Sequence, residues 1–77
     1  MNLYLISQTQ NDNYDTFDSA VVAAEHPAKA RIMNPGGINK EIDLSTWTSP
    51  EFVKVELIGE AIHGTKEGVI CASYNAG

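Results

Sequence analysis

The sequence has little positive charge. Only five of its 77 residues are lysine or arginine, against ten aspartates and glutamates, which gives a formal net charge of −5. Because non-specific binding to nucleic acid phosphates depends on clustered basic side chains, we do not expect direct binding to nucleic acid. The same charge favours contact with a partner protein that has a basic surface, since complementary potentials speed encounter and fix register.

Cysteine and long apolar runs are also scarce. Cys71 is the only cysteine, so no disulfide can form within the chain. The apolar run at residues 3–6 is far too short to cross a membrane, and no basic segment precedes it as in a secretory signal. We therefore expect a cytoplasmic protein that does not enter a membrane.

What is present is an ordinary globular composition. Hydrophobic residues make up 43% of the chain and charged residues 19%, a balance typical of folded proteins. The length predicts a single domain over residues 1–77. A domain of this size buries only about 60% of the surface that its unfolded chain exposes. Formation of a homodimer is one way to bury more apolar surface.

The first half of the chain predicts a β-hairpin. Residues 2–8 are rich in apolar and aromatic side chains and short, which is typical of a strand. Residues 9–13 are turn formers, whose side chains bond to their own backbone. We predict a second strand over residues 15–24, antiparallel to the first.

A short helix is predicted after the hairpin. Pro27 suits the first turn of a helix, and the Asn-Pro-Gly-Gly sequence at residues 34–37 stops it after roughly two turns. We expect Ala28, Ile32 and Met33 to face the sheet, and Lys29 and Arg31 to face water.

The second half predicts a loop followed by two strands. Residues 35–50 are expected to form the loop, with a short extended piece at residues 41–44 and with Trp47 as an anchor on the body of the protein. One helical turn is predicted at residues 49–51, where serine, proline and glutamate follow one another.

The last two strands are predicted at residues 53–58 and 69–74, joined as a second hairpin, with a bulge at Gly59. The predicted fold class is α+β. It is a four-stranded, mainly antiparallel sheet with one helix packed on one face, in the order β-β-α-β-β.

No pattern of catalytic or metal-binding residues stands out. Nothing in the spacing ties His26 or His63 to Cys71, and a cysteine in an apolar strand is usually a small core residue. Asp12, Asp15 and Asp18 are alternatively ligands for a hard cation or solvated hairpin residues. The second interpretation is favoured, because the spacing of a calcium-binding loop is missing. We predict a protein that is not an enzyme and needs no cofactor.

The best candidate for a contact surface combines aromatic and acidic residues. The patch consists of Tyr14, Asp15, Phe17 and Asp18. Aromatic anchors carry much of the energy of protein interfaces, and carboxylates around them suit a basic partner. In the alternative interpretation, Phe17 enters the core and Tyr14 closes the hairpin.

Three segments carry a resemblance to a known group of proteins. They are the LYLISQ sequence at residues 3–8, the YDTFDSAVVAAE sequence at residues 14–25 and the GVICASYNAG sequence at residues 68–77. In these segments and around residues 47–61 the chain resembles a family of small proteins encoded by phages, prophages and bacteria. No activity is assigned to that family. The resemblance implies a factor that blocks a host protein, such as a component of anti-phage defence, in the cytoplasm of the host cell.

Two functional hypotheses follow. The first is a non-enzymatic phage-type binding protein that inhibits a host protein through the acidic and aromatic surface. The second is a homo-oligomer that sequesters a small nucleotide-like signalling molecule. In that case Lys29 and Arg31 would pair with its charge, and Trp47 would stack on its base.

Overall fold

The protein folds into an antiparallel sheet with one short α-helix. A computed structural model describes residues 1–37, 41 and 43–75 of the chain. In chain order the elements are β1 (Asn2–Ser7), β2 (Thr16–Ala24), α1 (Pro27–Arg31), a one-turn 3₁₀ helix (Pro50–Phe52), β3 (Lys54–Glu60) and β4 (Gly68–Asn75). The predicted α+β class, with four antiparallel strands and one helix, is confirmed.

In the sheet, the two strands from the second half of the chain lie on either side of the first hairpin. The strand order is β3-β1-β2-β4, so the first hairpin forms the centre and the two later strands form the edges. The hairpin of β1 and β2 is confirmed, with Asn2 opposite Ala24 and Ser7 opposite Ser19. The predicted second hairpin is wrong, because β3 pairs with β1 and β4 pairs with β2.

The connection between the edge strands crosses one end of the sheet. Residues 61–67 run from β3 to β4 past the ends of both central strands. Three strand spacings amount to roughly 14 Å, and seven extended residues reach roughly 23 Å. The connection is therefore long enough. Local sequence favours a hairpin here, but only this crossing lets β3 and β4 each pair with a central strand.

The core lies on one face of the sheet. Tyr4 and Ile6 of β1 alternate with residues on the other face, as do Ala20 and Val22 of β2, and all four are buried. Trp47 is fully buried in the same cluster. Its predicted role as an anchor of the loop is therefore confirmed.

Helix α1 packs through a different face from the one predicted. Ala30 is fully buried and Met33, just beyond the helix, is nearly so, whereas Ala28 is exposed and Ile32 is 62% exposed. Arg31, which was predicted to face water, is half-buried and donates hydrogen bonds to the carbonyl oxygens of Pro50 and Val53. With only five residues, the helix is oriented by these tertiary contacts and not by an apolar stripe of its own.

The segment before β3 contains two turns. The predicted helical turn is confirmed as the 3₁₀ helix, which Ser49 precedes. Position 42 of the predicted extended piece lies outside the described residues. Asp43 begins a turn in which the backbone N–H of Trp47 donates to the Asp43 carbonyl oxygen, so Leu44 of the predicted extended piece lies in a turn.

Candidate recognition surface

The connection between β1 and β2 is held in place by Gln8. This side chain is only 6% exposed. Its Nε2 donates to the carbonyl oxygens of Asn11 and Phe17, and its Oε1 accepts from the backbone N–H of Asn11, at 2.8–2.9 Å. One buried amide therefore fixes both ends of the connection.

A second set of hydrogen bonds joins this connection to the turn at residues 43–47. Asn11 Nδ2 donates to the carbonyl oxygens of Leu44 and Trp47. The backbone N–H of Phe17 donates to the Thr46 carbonyl oxygen at 2.8 Å. Because Trp47 is fully buried, these bonds tie the connection to the core.

The residues before β2 adopt an unusual backbone conformation. Asp15 has a φ of 61°, in the left-handed region that aspartate tolerates better than most residues. Its N–H donates to the Asn75 carbonyl oxygen at 2.6 Å, and the buried Thr16 hydroxyl donates to the Asn13 carbonyl oxygen. The turn leaves the Tyr14 side chain 75% exposed.

Phe17 and Tyr74 join this turn to the edge strand. Their ring centroids are 4.8 Å apart in an edge-to-face arrangement. Phe17 is half-buried and packs against the core cluster, while Tyr74 is 47% exposed. The interpretation in which Phe17 enters the core is thus partly right. Tyr14, in contrast, stays on the outside.

Three carboxylates occur in the same stretch of chain as Tyr14 and Phe17. Asp12, Asp15 and Asp18 are all exposed, and in residues 1–37, 41 and 43–75 none of them forms an ion pair. Asp18 occupies a bulge in β2, between the residues that pair with Tyr74 and Ser73. We call these six residues the tip surface: Asp12, Tyr14, Asp15, Phe17, Asp18 and Tyr74.

A groove of about 330 Å³, lined by residues with polar side chains, adjoins the tip surface. Its lining includes Gln8, Asn11, Asp12, Asp18 and Asn75. Amide and carboxylate groups make it suitable for basic or hydrogen-bonding side chains of a partner. The four predicted contact residues lie at one end of the sheet. The structure adds Asp12 and Tyr74 to them, and Asn75 lines the adjoining groove.

The residues proposed for the alternative nucleotide site are not arranged as that hypothesis requires. Trp47 has no exposed ring face on which a base could stack. The Arg31 guanidinium bonds to backbone carbonyl oxygens, and Lys29 lies 3.7 Å from Glu67 in an ion pair. A cleft of about 220 Å³ is lined by Lys29, Ile32, Met33 and Glu67, so it includes only one of the three predicted residues.

Cys71 was predicted to lie in the core, and this is wrong. The thiol is exposed, because β4 is an edge strand and Cys71 pairs with Val21 on the face away from the core cluster. His26 and His63 are exposed as well. Across the described part of the chain, no group of three or more histidine, cysteine, aspartate or glutamate side chains is arranged to hold a metal ion.

No helix in the described residues is long and apolar enough to cross a membrane. Comparison of the chain with protein-family models, with curated proteins and with solved structures gives no match.

Tyr74 and Asn75 are the site residues that the sequence did not indicate. Tyr74 reaches the tip surface, and Asn75 the adjoining groove, only because β4 pairs with β2, where Asn75 lies opposite Thr16 and Tyr74 opposite Phe17. A local pattern carries no information about a pairing between such distant segments. The one available signal was that two aromatic residues, Phe17 and Tyr74, each occur at the end of a predicted strand.

Proposed function

We propose that this protein is a non-enzymatic binding protein, which engages a partner protein with a basic surface through the tip surface. The observation that carries the proposal is Tyr14, a large aromatic side chain that is 75% exposed on a turn with a fixed backbone. A tyrosine that contributes nothing to the core suits the role of an anchor in the pocket of a partner.

The rigidity of the turn supports the proposal. Binding is weakened by the entropy lost when loops and side chains become ordered. Here Gln8 and Asn11 hold the turn through side-chain hydrogen bonds, and Asp15 bonds to the edge strand. Because the backbone under Tyr14 is already fixed, little further order is lost on binding.

Charge determines the kind of partner. Asp12, Asp15 and Asp18 are exposed around the anchor, and the chain carries a net charge of −5. A basic partner gains from these unpaired carboxylates, mainly in its rate of association. With the resemblance to small phage proteins, the proposed outcome of binding is inhibition of a host protein, for which a component of anti-phage defence is the leading class.

The burial of Trp47 favours protein binding over the sequestering of a nucleotide. Stacking on a base needs an exposed aromatic face, and Trp47 offers none, whereas Tyr14 and Tyr74 are exposed beside carboxylates that would repel phosphate. The tip surface is therefore better suited to basic protein side chains than to an anionic ligand.

The test compares variants of the tip surface with a matched control. Tyr14→Ala and Asp18→Lys change the tip surface, while Glu60→Lys introduces the same charge change as Asp18→Lys at the far end of β3. Each tagged protein is used to capture partners from bacterial lysate. We expect a partner that is retained by the wild type and by Glu60→Lys, but lost with Tyr14→Ala and with Asp18→Lys.

The captured partner is then purified and titrated. We expect its association rate to fall with added salt, because exposed charges are screened within roughly 10 Å at 0.1 M ionic strength. If Tyr14→Ala and Asp18→Lys bind it as tightly as Glu60→Lys does, the tip surface is not the binding site.

A further inference from the structure

The face of the sheet opposite the core is also apolar. Tyr4 and Ile6 point into the core, so their neighbours Leu3 and Leu5 point to the other side. On β2 the same alternation places Val21 and Ala23 beside them, and the register sets Leu5 directly opposite Val21. Cys71 follows on β4, opposite Val21.

We call this surface the open face. It consists of Leu3, Leu5, Ser7, Ser19, Val21, Ala23, Lys54, Glu56, Cys71 and Ser73. A shallow depression of about 180 Å³ lies at its centre, between Leu5, Val21 and Cys71. Helix residue Ala30, with Met33 and Trp47, packs in the core cluster on the other side of the sheet.

Apolar residues on both faces of a strand are typical of sheets that are covered on both sides. In an antiparallel sheet with one solvent-exposed face, the alternate positions of each strand that point to that face are usually polar. The central strands break this rule, since Leu3, Leu5 and Val21 occupy alternate positions on the open face and are only partly buried, while Ala23 beside them is fully buried within the chain itself. The open face therefore has the composition of a surface that another layer covers.

Charge distinguishes the open face from the rest of the protein. Its only charged residues are Lys54 and Glu56, whose Nζ and Oε1 atoms are 2.6 Å apart. A lysine amine is already protonated at neutral pH, and the hydrogen bond and the charge of Glu56 raise the pKa of Lys54 further. The face is thus neutral within a chain of net charge −5. A strongly basic partner would gain little electrostatic attraction at this neutral face. A second copy of the acidic chain, in contrast, can bind here without the charge repulsion that it would meet at the acidic surfaces of the protein.

The same ion pair gives the face a self-complementary pattern. A two-fold axis brings the same patch of both copies together. If residue i of one copy contacts residue j of the other, then residue j of the first copy also contacts residue i of the second. Lys54 and Glu56 lie two positions apart on one strand. Two copies with antiparallel β3 strands can therefore place each Lys54 beside the Glu56 of the other.

We propose that the open face binds the open face of a second copy, which forms a two-fold dimer with two sheets packed face to face. Such sheets lie about 10 Å apart, with their inner side chains interdigitated. Leu5, Val21 and Cys71 form the centre of the contact. Phe17 of the tip surface packs toward the core side, so the dimer leaves the tip surface of each copy accessible.

The size of the face sets the expected strength. Six residues along the strands and three strand spacings across give a flat area of roughly 300 Å² per copy. Interfaces with less than about 1,200 Å² in total are typical of weak associations. We therefore expect a dimer that dissociates on dilution, with a dissociation constant on the order of micromolar or weaker.

Sedimentation of the full chain from about 1 µM to about 1 mM tests the proposal. We expect the wild type to change from monomer to dimer within this range. Val21→Lys should remain a monomer throughout, whereas Leu44→Lys, at an exposed leucine outside the open face, should dimerise like the wild type. A wild type that stays monomeric, or a Val21→Lys variant that still dimerises, overturns the proposal.

Two further measurements protect the test against misfolding of Val21→Lys. Ser73→Lys adds a charge to the open face at an exposed position, and it should weaken the dimer at least tenfold while leaving the circular dichroism spectrum unchanged. The rate at which a thiol reagent modifies Cys71 should fall several-fold as the protein concentration rises through the dimerisation range. A constant rate counts against burial of Cys71 and against the proposed face.

The charge pattern has a test of its own. Lys54→Glu and Glu56→Lys each place like charges together in the two-fold arrangement, so each should weaken the homodimer. A mixture of the two variants should form a heterodimer, because opposite charges then meet across the axis. Failure of the mixture to associate better than either variant alone excludes this arrangement of the copies. The result is independent of the tip surface and of the partner proposed for it.

Discussion

The Tyr74 ring of β4 packs edge-on against the Phe17 ring of β2, with the ring planes at 61°. The contact joins the end of the edge strand to the hairpin. It links Phe17, which packs against the core cluster, to the exposed Tyr74. Aromatic pairs of this geometry contribute roughly 0.5–1.5 kcal/mol beyond the area that they bury. Tyr74→Ala should lower the free energy of unfolding in urea by about that amount or somewhat more. Tyr74→Phe, which keeps the ring, should have little effect, and equal losses for the two variants would show that the ring contact is not the cause.

Gln8 is expected to matter for stability because its amide is buried and makes three hydrogen bonds. Gln8→Ala leaves partly buried backbone groups of Asn11 and Phe17 without this partner, at a cost of about 1–3 kcal/mol. Gln10→Ala, at an exposed glutamine of the same turn, should change the free energy of unfolding by no more than about 0.5 kcal/mol. A similar result for the two variants would mean that the amide does not hold the turn.

The backbone at Asp15 predicts which substitutions the turn accepts. A left-handed residue costs roughly 1–2 kcal/mol for most side chains, and a β-branched one fits it poorly. Asp15→Val should therefore destabilise the protein by about 1–2 kcal/mol, whereas Asp15→Gly should not. Asp12→Val is the control, since Asp12 is an exposed aspartate of the same turn without a positive φ. Thermal unfolding of the three variants checks the order.

Trp47 should be the most sensitive position of the core. It is fully buried, and truncation of a large buried aromatic residue costs about 3–5 kcal/mol. Total stability for a chain of this length is on the order of 4–12 kcal/mol, so Trp47→Ala should lose a large share of it, and its thermal unfolding followed by circular dichroism should occur at a clearly lower temperature than that of the wild type.

Trp47→Phe should cost clearly less than Trp47→Ala. It leaves a smaller cavity, and it also removes the indole Nε1, which is buried without a hydrogen-bond partner among the described residues. As the only tryptophan, Trp47 reports its own environment: its fluorescence should lie at short wavelength in the native protein and shift to the red on unfolding. Equal stability of Trp47→Phe and Trp47→Ala would contradict this description of the site.

Local patterns predicted the strands well because each had a strong signal. The apolar residues of β1, the alternation of Val53 and Val55 before Gly59, and the turn formers at residues 9–13 all act within a few residues. A register shift does occur next to Gly59, where Leu3 and Tyr4 pair with Gly59 and Leu57. The tip surface was predicted in part for the same reason, since Tyr14, Asp15, Phe17 and Asp18 are neighbours in the chain.

The helix face and the environment of Cys71 were predicted wrongly because both depend on distant partners. Five residues are too few for an apolar stripe to orient α1, so the hydrogen bonds from Arg31 to Pro50 and Val53 and the burial of Ala30 determine which side faces the sheet. Cys71 lies in an apolar strand, as expected of a core residue, but that strand is at the edge and the cysteine faces away from the core cluster.

The amino-acid sequence by itself determined that the chain forms four strands and a short helix, carries net negative charge and presents an acidic, aromatic turn, because these properties depend on composition and on contacts between near neighbours. Only the tertiary structure decided the strand order, the position of Cys71 on the face away from the core, and the contact between the Phe17 and Tyr74 rings. The physical reason is that either edge of the β1–β2 hairpin offers hydrogen-bonding groups to any later strand. Which strand pairs with which edge is determined by the packing of the whole chain, and short sequence patterns do not indicate it.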